Sequence, residues 1–421
     1  MTGSKNRLTP DPMSTITSHP DWIIKWADLH PQSGWRKDLL SALSVTGLPS
    51  GKHEEYRFTP VMRQVEKYAD RLIINPTDDK PDAPLPVIPG TDIRISLYNG
   101  LPTVPDTIPQ DLYMAVQQIT EPEEADDAFA ALNLLMASSR LVIRSLSDRN
   151  PVVHLHHITG HSSGPVMINP CIRIELEPRA SLTVMETFSV AGSDFNFMNS
   201  KLDVHVGEGA VFHHISIQNC RHEGVQLHNN RIRLGSESVV HDFVLSTEGA
   251  LIRNNSSFML EGSRSEANLH GLYLLGGKTI ADNHTVVDHR VPDANSNELY
   301  KGVMAGQSRG VFNGKIFVRP DAQRTNAFQS NRNILLSDSA TVNTKPQLEI
   351  WADDVKCSHG CTSGNLDEEA LFYLLSRGIP KSDAQAMLLD AFASEAIDKI
   401  GQPVLREWIR SIALNKIQAL H

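Results

Sequence analysis

The chain has 421 residues, 39 Lys+Arg against 49 Asp+Glu, and a formal net charge of −10. An acidic chain lacks the Lys/Arg surplus that neutralises phosphates, so nucleic-acid binding is not expected. No run of roughly 18 apolar residues offers a membrane span.

The N-terminus, Met-Thr-Gly-Ser-Lys-Asn-Arg, has no apolar stretch, so no signal peptide is expected. Cys171, Cys220, Cys357 and Cys361 are too few and too scattered for a disulfide framework. The expectation is a cytoplasmic chain with reduced thiols. Its length predicts two or three units, unless a repeat extends one core.

Residues 20–46 predict helix. Asp21 can cap, Trp22, Ile23, Trp26 and Leu29 recur at helical spacing, and Leu39, Leu40 and Leu43 follow a break near Pro31. "GLPSGKHEEYRFTPV" (Gly47–Val61) reads as a loop. Many prolines between 75 and 110 predict extended connections with short strands such as Ile93–Leu97. "EPEEADDAFAALNLLMASS" (Glu121–Ser139) predicts the next helix, with acidic residues at its positive dipole end.

From Leu141 to about Glu349, β-branched and polar residues alternate and Gly and Asn punctuate. A repeat runs through this stretch. "ASLTVMETF" begins at Ala180, "AVFHHISIQ" at Ala210, "SVVHDFVLS" at Ser238 and "ANLHGLYLL" at Ala267, 28 to 30 residues apart. The first position is small and the third and sixth are apolar. Strand-rich repeats of this length predict coils stacked in a β-solenoid, with a β-sandwich of coincidental spacing as the alternative.

Helix returns after Gly364. Asn365 and Glu368 form a capping-box pattern, and Leu371, Phe372, Leu374 and Leu375 give an apolar face. Gly378 and Pro380 end this helix. Ser382 starts a second helix with Ala386, Leu389 and Phe392 on one stripe. Pro403 opens a third with Val404, Trp408, Ile412 and Leu414. These faces bury against each other or receive a partner.

No self-contained catalytic motif is present. "GLYLLGGKT" (Gly271–Thr279) has five residues where a phosphate-binding loop needs four, and no G-x-G-x-x-G, G-x-S-x-G or H-E-x-x-H occurs. Histidine is more suggestive. His154, His156, His157 and His161 cluster, and His213, His241 and His270 share the fourth position of their repeats. In a solenoid the latter three would stack, either as a ladder for a metal or protons or as a polar stack.

Cys357, His359 and Cys361 form a C-x-H-x-C spacing. In an extended segment they share one face. Thiolate and imidazole suit iron, zinc or an iron–sulfur cluster, but three ligands leave a soft metal short of four. The rest would come from elsewhere; otherwise these are ordinary turn residues. Cys171 and Cys220 read as buried small hydrophobes.

"VNTKPQLEIWADDVKCSHGCTSGNLDEEALFYLLSRGIP" (Val342–Pro380) resembles the C-terminal signature of the SufB/SufD family of SUF iron–sulfur assembly proteins, nearer its SufD branch. "HTVVDH" (His284–His289), "YKGVM" (Tyr300–Met304), "GVFNGKIFV" (Gly310–Val318) and "GLPSGKHEEYRFT" (Gly47–Thr59) fit as well. The resemblance implies a mainly β fold: a right-handed parallel β-helix core over 141–362, flanked by an N-terminal helical region over 1–140 and a C-terminal helical domain over 363–421. It implies a non-catalytic scaffold that pairs through its β-helix with a SufB-like subunit, or with itself when alone. A SufC-like ATPase would dock on the C-terminal helices, with Leu371, Phe372, Leu375, Leu389 and Phe392 as the expected contacts.

A transient iron or iron–sulfur cluster is expected at the subunit interface, near Cys357 and His359. Cys361 joins them by spacing alone. Whether a flavin binds the assembled complex is left open. Two other readings are a stand-alone β-helix enzyme acting on carbohydrate and a stable metalloprotein.

Overall fold

The alternating pattern downstream of Leu141 becomes strands of up to eleven residues that pass back and forth between two sheets. The computed structural model describes residues 17–18, 21–29, 34–76, 85–121, 123–160, 164–191, 195–220 and 223–420. Within them the chain is mainly β, a parallel β-solenoid of about seven turns with helices at both ends. Each coil gives one strand to each sheet, as Leu251–Leu260 and Glu266–Leu275 do. Ile93–Tyr98 and Leu112–Gln118 extend the two sheets upstream of residue 141.

The four sequence repeats are neighbouring strands of one sheet. Their register follows the repeat through the first three, where Thr183, His213 and His241 lie opposite one another. It slips at the fourth: His241 faces Asn268, and His270 faces Phe243. Side chains alternate with period two, so a two-residue slip leaves His270 on the expected face. The face is right and the stacking partner is wrong.

One half of the interior is apolar, with Leu182, Phe212, Val240 and Ala267 facing Val204, Ile232, Phe258 and Val287. At one corner, residues in the left-handed region recur: Arg179, Glu237, Arg264, Asp293 and Arg324, with φ between 58° and 64°. The corner side chains pair between coils, Arg264 with Glu237 and Arg324 with Asp293. These pairs are exposed, so each contributes little to stability. "GLYLLGGKT" is the end of one strand and the tight turn that leads to the next, with no helix for a phosphate to meet.

Helices α1 (Asp21–Leu29), α2 (Gly34–Thr46), α3 (Val61–Val65) and α4 (Ala128–Met136) cover the outer face of one sheet. Trp22 and Ile23 are buried there, whereas the side chains of Trp26 and Leu29, together with Pro31 and His161, lie outside the described residues. Helix α4 is shorter than predicted. Asp127 caps it by accepting from Ala130 N at 2.7 Å. The acidic residues before it do not serve the helix dipole. Glu123 pairs with Arg140, Arg173 and Lys201, and Asp126 with Arg231, all on solenoid strands.

Helices α5 (Glu368–Ser376), α6 (Lys381–Ile397) and α7 (Pro403–Gln418) follow the last strand. The cap of α5 is Asp367, accepting from Glu369 N and Ala370 N, and not Asn365. Helix α6 starts at Lys381 without a side-chain cap, one residue before the expected Ser382. Leu389, Ala393, Ile397, Leu405 and Ile409 pack on Ile215, Phe243, Leu272 and Val303 of the other sheet's outer face. The helices therefore bury against the solenoid as well as each other. No helix among the described residues is long and apolar enough to cross a membrane.

Candidate functional site

The C-x-H-x-C segment is not a turn. Among the described residues, Val355–Gly364 is the last strand of its sheet and pairs on one side only, with Thr325–Leu335. Cys357 lies opposite Ala327, His359 opposite Gln329 and Cys361 opposite Asn331. All three opposing residues are buried. By alternation the two cysteines and the histidine share the interior side, at the open mouth of the solenoid.

Cys357 packs against the solenoid core, and burial pushes its thiol pKa up. Cys361 is exposed, and its Sγ lies 2.6 Å from Thr344 Oγ1. Thr344 belongs to Thr341–Ile350, the last strand of the opposite sheet, so this contact crosses the mouth. Alternate residues of a strand stand roughly 6.6 Å apart, so the three line up and do not converge on one ion. Among the described residues no three His, Cys, Asp or Glu form a group that could hold a metal.

Behind this row is a polar floor. Asn331 Nδ2 donates to Tyr273 OH at 2.9 Å, Tyr273 OH donates to Asn333 Oδ1 at 2.5 Å, and Asn333 Nδ2 donates to Asn331 Oδ1 at 2.7 Å. Beside the ring, Glu298 accepts from Thr285 at 2.6 Å and from Gln329 at 3.1 Å. Burial pushes the Glu298 carboxyl up to about 7. Glu298, Gln329 and His359 follow one another across three coils. Sequence reasoning missed this floor. Its signal was polar residues at the inward phase, Glu298 beside Ser296 and Gln329 beside Ala327.

The histidines divide by face. Inward, His157 and His214 hold Glu186 at 2.9 and 3.0 Å, and His214 meets Asp242 at 2.6 Å. Burial opposes charge on His214, but its bonds to Asp242 and Glu186 prevail and raise it to about 10. Outward, His154 and His156 both bond Thr187 Oγ1 at 2.7 Å. His213 and His241 stack at 4.8 Å and lie with His270 beneath the α6–α7 linker, around a gap of about 10 Å³. Burial lowers His213 to about 4 and His270 to about 3, so this group is a neutral packing surface. It is not an open ladder.

The HEEYRFT stretch seals a buried arginine that sequence reasoning did not single out. Arg253, 1% exposed, donates to Asp282 at 2.6 Å, to Glu55 O at 2.8 Å and to Thr59 at 2.9 Å. Tyr56 lies across it, 3.8 Å from ring centre to guanidinium. Next to this cluster a cleft of about 890 Å³ runs under α2. Several of its charged groups pair with one another, Arg231 with Glu124 and Asp126, and Lys315 with Glu55.

The five expected partner contacts separate. Phe372, 72% exposed, and Leu375 face outward, joined by Tyr373 and Met387, while Leu371 is half-buried. Leu389 is fully buried in the solenoid interface and cannot meet a partner. Phe392 is half-buried, with Lys301 Nζ 4.1 Å above its ring. An amphipathic stripe shows that a helix face is buried, but not by what.

Residues 157–392 match the SufBD core domain described as SUF system FeS cluster assembly. The chain is 30% identical to the iron-sulfur cluster assembly protein SufD of Escherichia coli, over 94% of this chain and 97% of that one. An iron-sulfur cluster assembly SufBD family protein of Synechocystis is 31% identical over 66% of this chain and 63% of its own. A chloroplastic protein of Arabidopsis thaliana, ABCI7, is 29% identical over 82% and 71%.

Proposed function

Since the chain belongs to the SufB/SufD family of SUF iron–sulfur cluster assembly proteins and is most like SufD, we propose that it is a cytoplasmic, non-catalytic assembly subunit that helps build a cluster at a subunit interface. The observation that carries this reading is the open mouth of the solenoid. Cys357, His359 and Cys361 face it, and the strand that bears them has an edge left unpaired among the described residues. A SufB-like solenoid meets this end and supplies the ligands that one strand cannot. The nascent cluster is cargo held between the two chains.

ATP hydrolysis belongs to a SufC-like partner. The apolar surface of Phe372, Tyr373, Leu375 and Met387 is the docking face this reading assigns to it. Motion of that partner reaches the mouth through the C-terminal helices, which follow directly on the ligand-bearing strand.

Co-expression with SufB- and SufC-type subunits, then anaerobic purification and iron and sulfide analysis, tests the proposal. A three-component complex that acquires iron and sulfide, beside an isolated chain that does not, is the expected result. A stoichiometric cluster in the isolated chain would instead mark a stand-alone metalloprotein.

A further inference from the structure

We infer that Glu395 is a positioning residue that ties the C-terminal helices to the coils beneath Cys361. This rests on the docking role assigned to those helices above. Glu395 sits near the end of α6 and grips two coils at once. Its carboxylate accepts from Lys301 Nζ at 2.5 Å and from Arg332 at 3.1 and 3.2 Å. Lys301 and Arg332 are opposite each other in register, and the next residue in that row is Thr362, adjacent to Cys361.

The Lys301 side chain is 3% exposed and lies over Phe392 of α6. A buried ammonium needs its partner, so α6 and this strand cannot separate without loss of that pairing. Lys301 also stands between two parts of the polar floor. On one side, Tyr300 O accepts from Asn331 Nδ2 at 3.1 Å. On the other, Gly302 lies under Tyr273. Asn331 is the residue opposite Cys361, and Asn333 Nδ2 reaches Thr362 O at 3.4 Å. A shift of α6 thus acts on Lys301 and Arg332, then on Tyr300, Asn331 and Asn333, and then on the strand that holds Cys361.

The test is the alkylation rate of Cys361, read by peptide mass spectrometry. Glu395→Gln keeps the shape and removes the charge, and Glu395→Asp is the conservative rescue. Lys416→Gln breaks a separate link from α7 to Glu248 and serves as the control. In the isolated chain, Glu395→Gln raises the rate about twofold or more, Glu395→Asp restores most of the wild-type rate, and Lys416→Gln changes nothing. Equal rates in wild type and Glu395→Gln overturn the inference, as does an equal rise in Lys416→Gln, which would mean general loosening.

In the complex with the ATPase, wild type changes its Cys361 rate on adding ATP and Glu395→Gln does not, while ATP turnover persists in both. A Glu395→Gln complex that responds to ATP like wild type overturns the coupling. A wild-type complex indifferent to ATP overturns the docking reading instead, and the isolated chain then decides the role of Glu395.

Discussion

Tyr273 packs against Gly302 one coil further on, so closely that a Cβ on the glycine would stand 2.1 Å from the tyrosine ring. The relation is reciprocal, because a Cβ on Gly271 would stand 2.2 Å from the Tyr300 ring. These pairs account for glycines within "GLYLL" and "YKGVM", where a β-strand otherwise disfavours them. Gly302→Ala is expected to lower stability by about 1–3 kcal/mol through overpacking. Gly360→Ala, on the terminal strand where an added Cβ meets none of the described residues within 4 Å, should leave the melting temperature unchanged. Thermal unfolding of the two variants side by side checks the contrast.

Arg253 and Asp282 form a buried pair with side-chain exposures of 1% and 0%. Removing one member strands the other charge, which typically costs about 3–5 kcal/mol. Arg253→Met should therefore shift the urea midpoint strongly and loosen the Glu55–Thr59 segment that closes over it. An unchanged midpoint would mean that Asp282 is fully satisfied by Thr59 and His284 alone.

Burial raises the Glu298 carboxyl from 4.5 to about 7. The folded chain therefore holds a proton that the unfolded chain releases at lower pH. Between about 4.5 and 7 the native state binds more protons, so this group makes stability fall as pH rises, and above 7 it has no further effect. Glu298→Gln should flatten that slope. Denaturant titrations at several pH values across the window, for both proteins, provide the check.

Phe372 is 72% exposed on a helix with no buried residue. Phe372→Glu should not alter the melting temperature. It should weaken capture of the SufC-type ATPase by about tenfold or more if this side chain is central to the docking face. Leu389→Ala should do the reverse, lowering stability through a cavity at the solenoid interface. If Phe372→Glu bound the ATPase as wild type does, the docking face would lie elsewhere.

Much of the fold was legible because its signals are local. Strand alternation, the small residue opening each repeat and the stops at Gly378 and Pro380 depend on neighbouring residues alone. The slip that moves His270 away from His241 was hidden because a two-residue shift keeps the alternation intact. Helix α4 was overextended because a run of acidic residues looks the same whether it serves a helix dipole or the cations of a sheet. Leu389 and Phe372 look alike on a stripe, and only the packed solenoid separates them. The row of Cys357, His359 and Cys361 was readable from spacing. The ring of Tyr273, Asn331 and Asn333 beneath it was not, since Tyr273 lies 58 and 60 residues from the two asparagines.

The central claim is that Cys357, His359 and Cys361 share ligation of a nascent cluster with a partner chain. It is tested most directly by iron and acid-labile sulfide in the anaerobically purified complex carrying Cys357→Ser, His359→Ala and Cys361→Ser together. The account predicts a complex that assembles with normal stoichiometry and ATP turnover but holds little iron or sulfide beside wild type. A triple variant that assembles and carries as much cluster as wild type would contradict it.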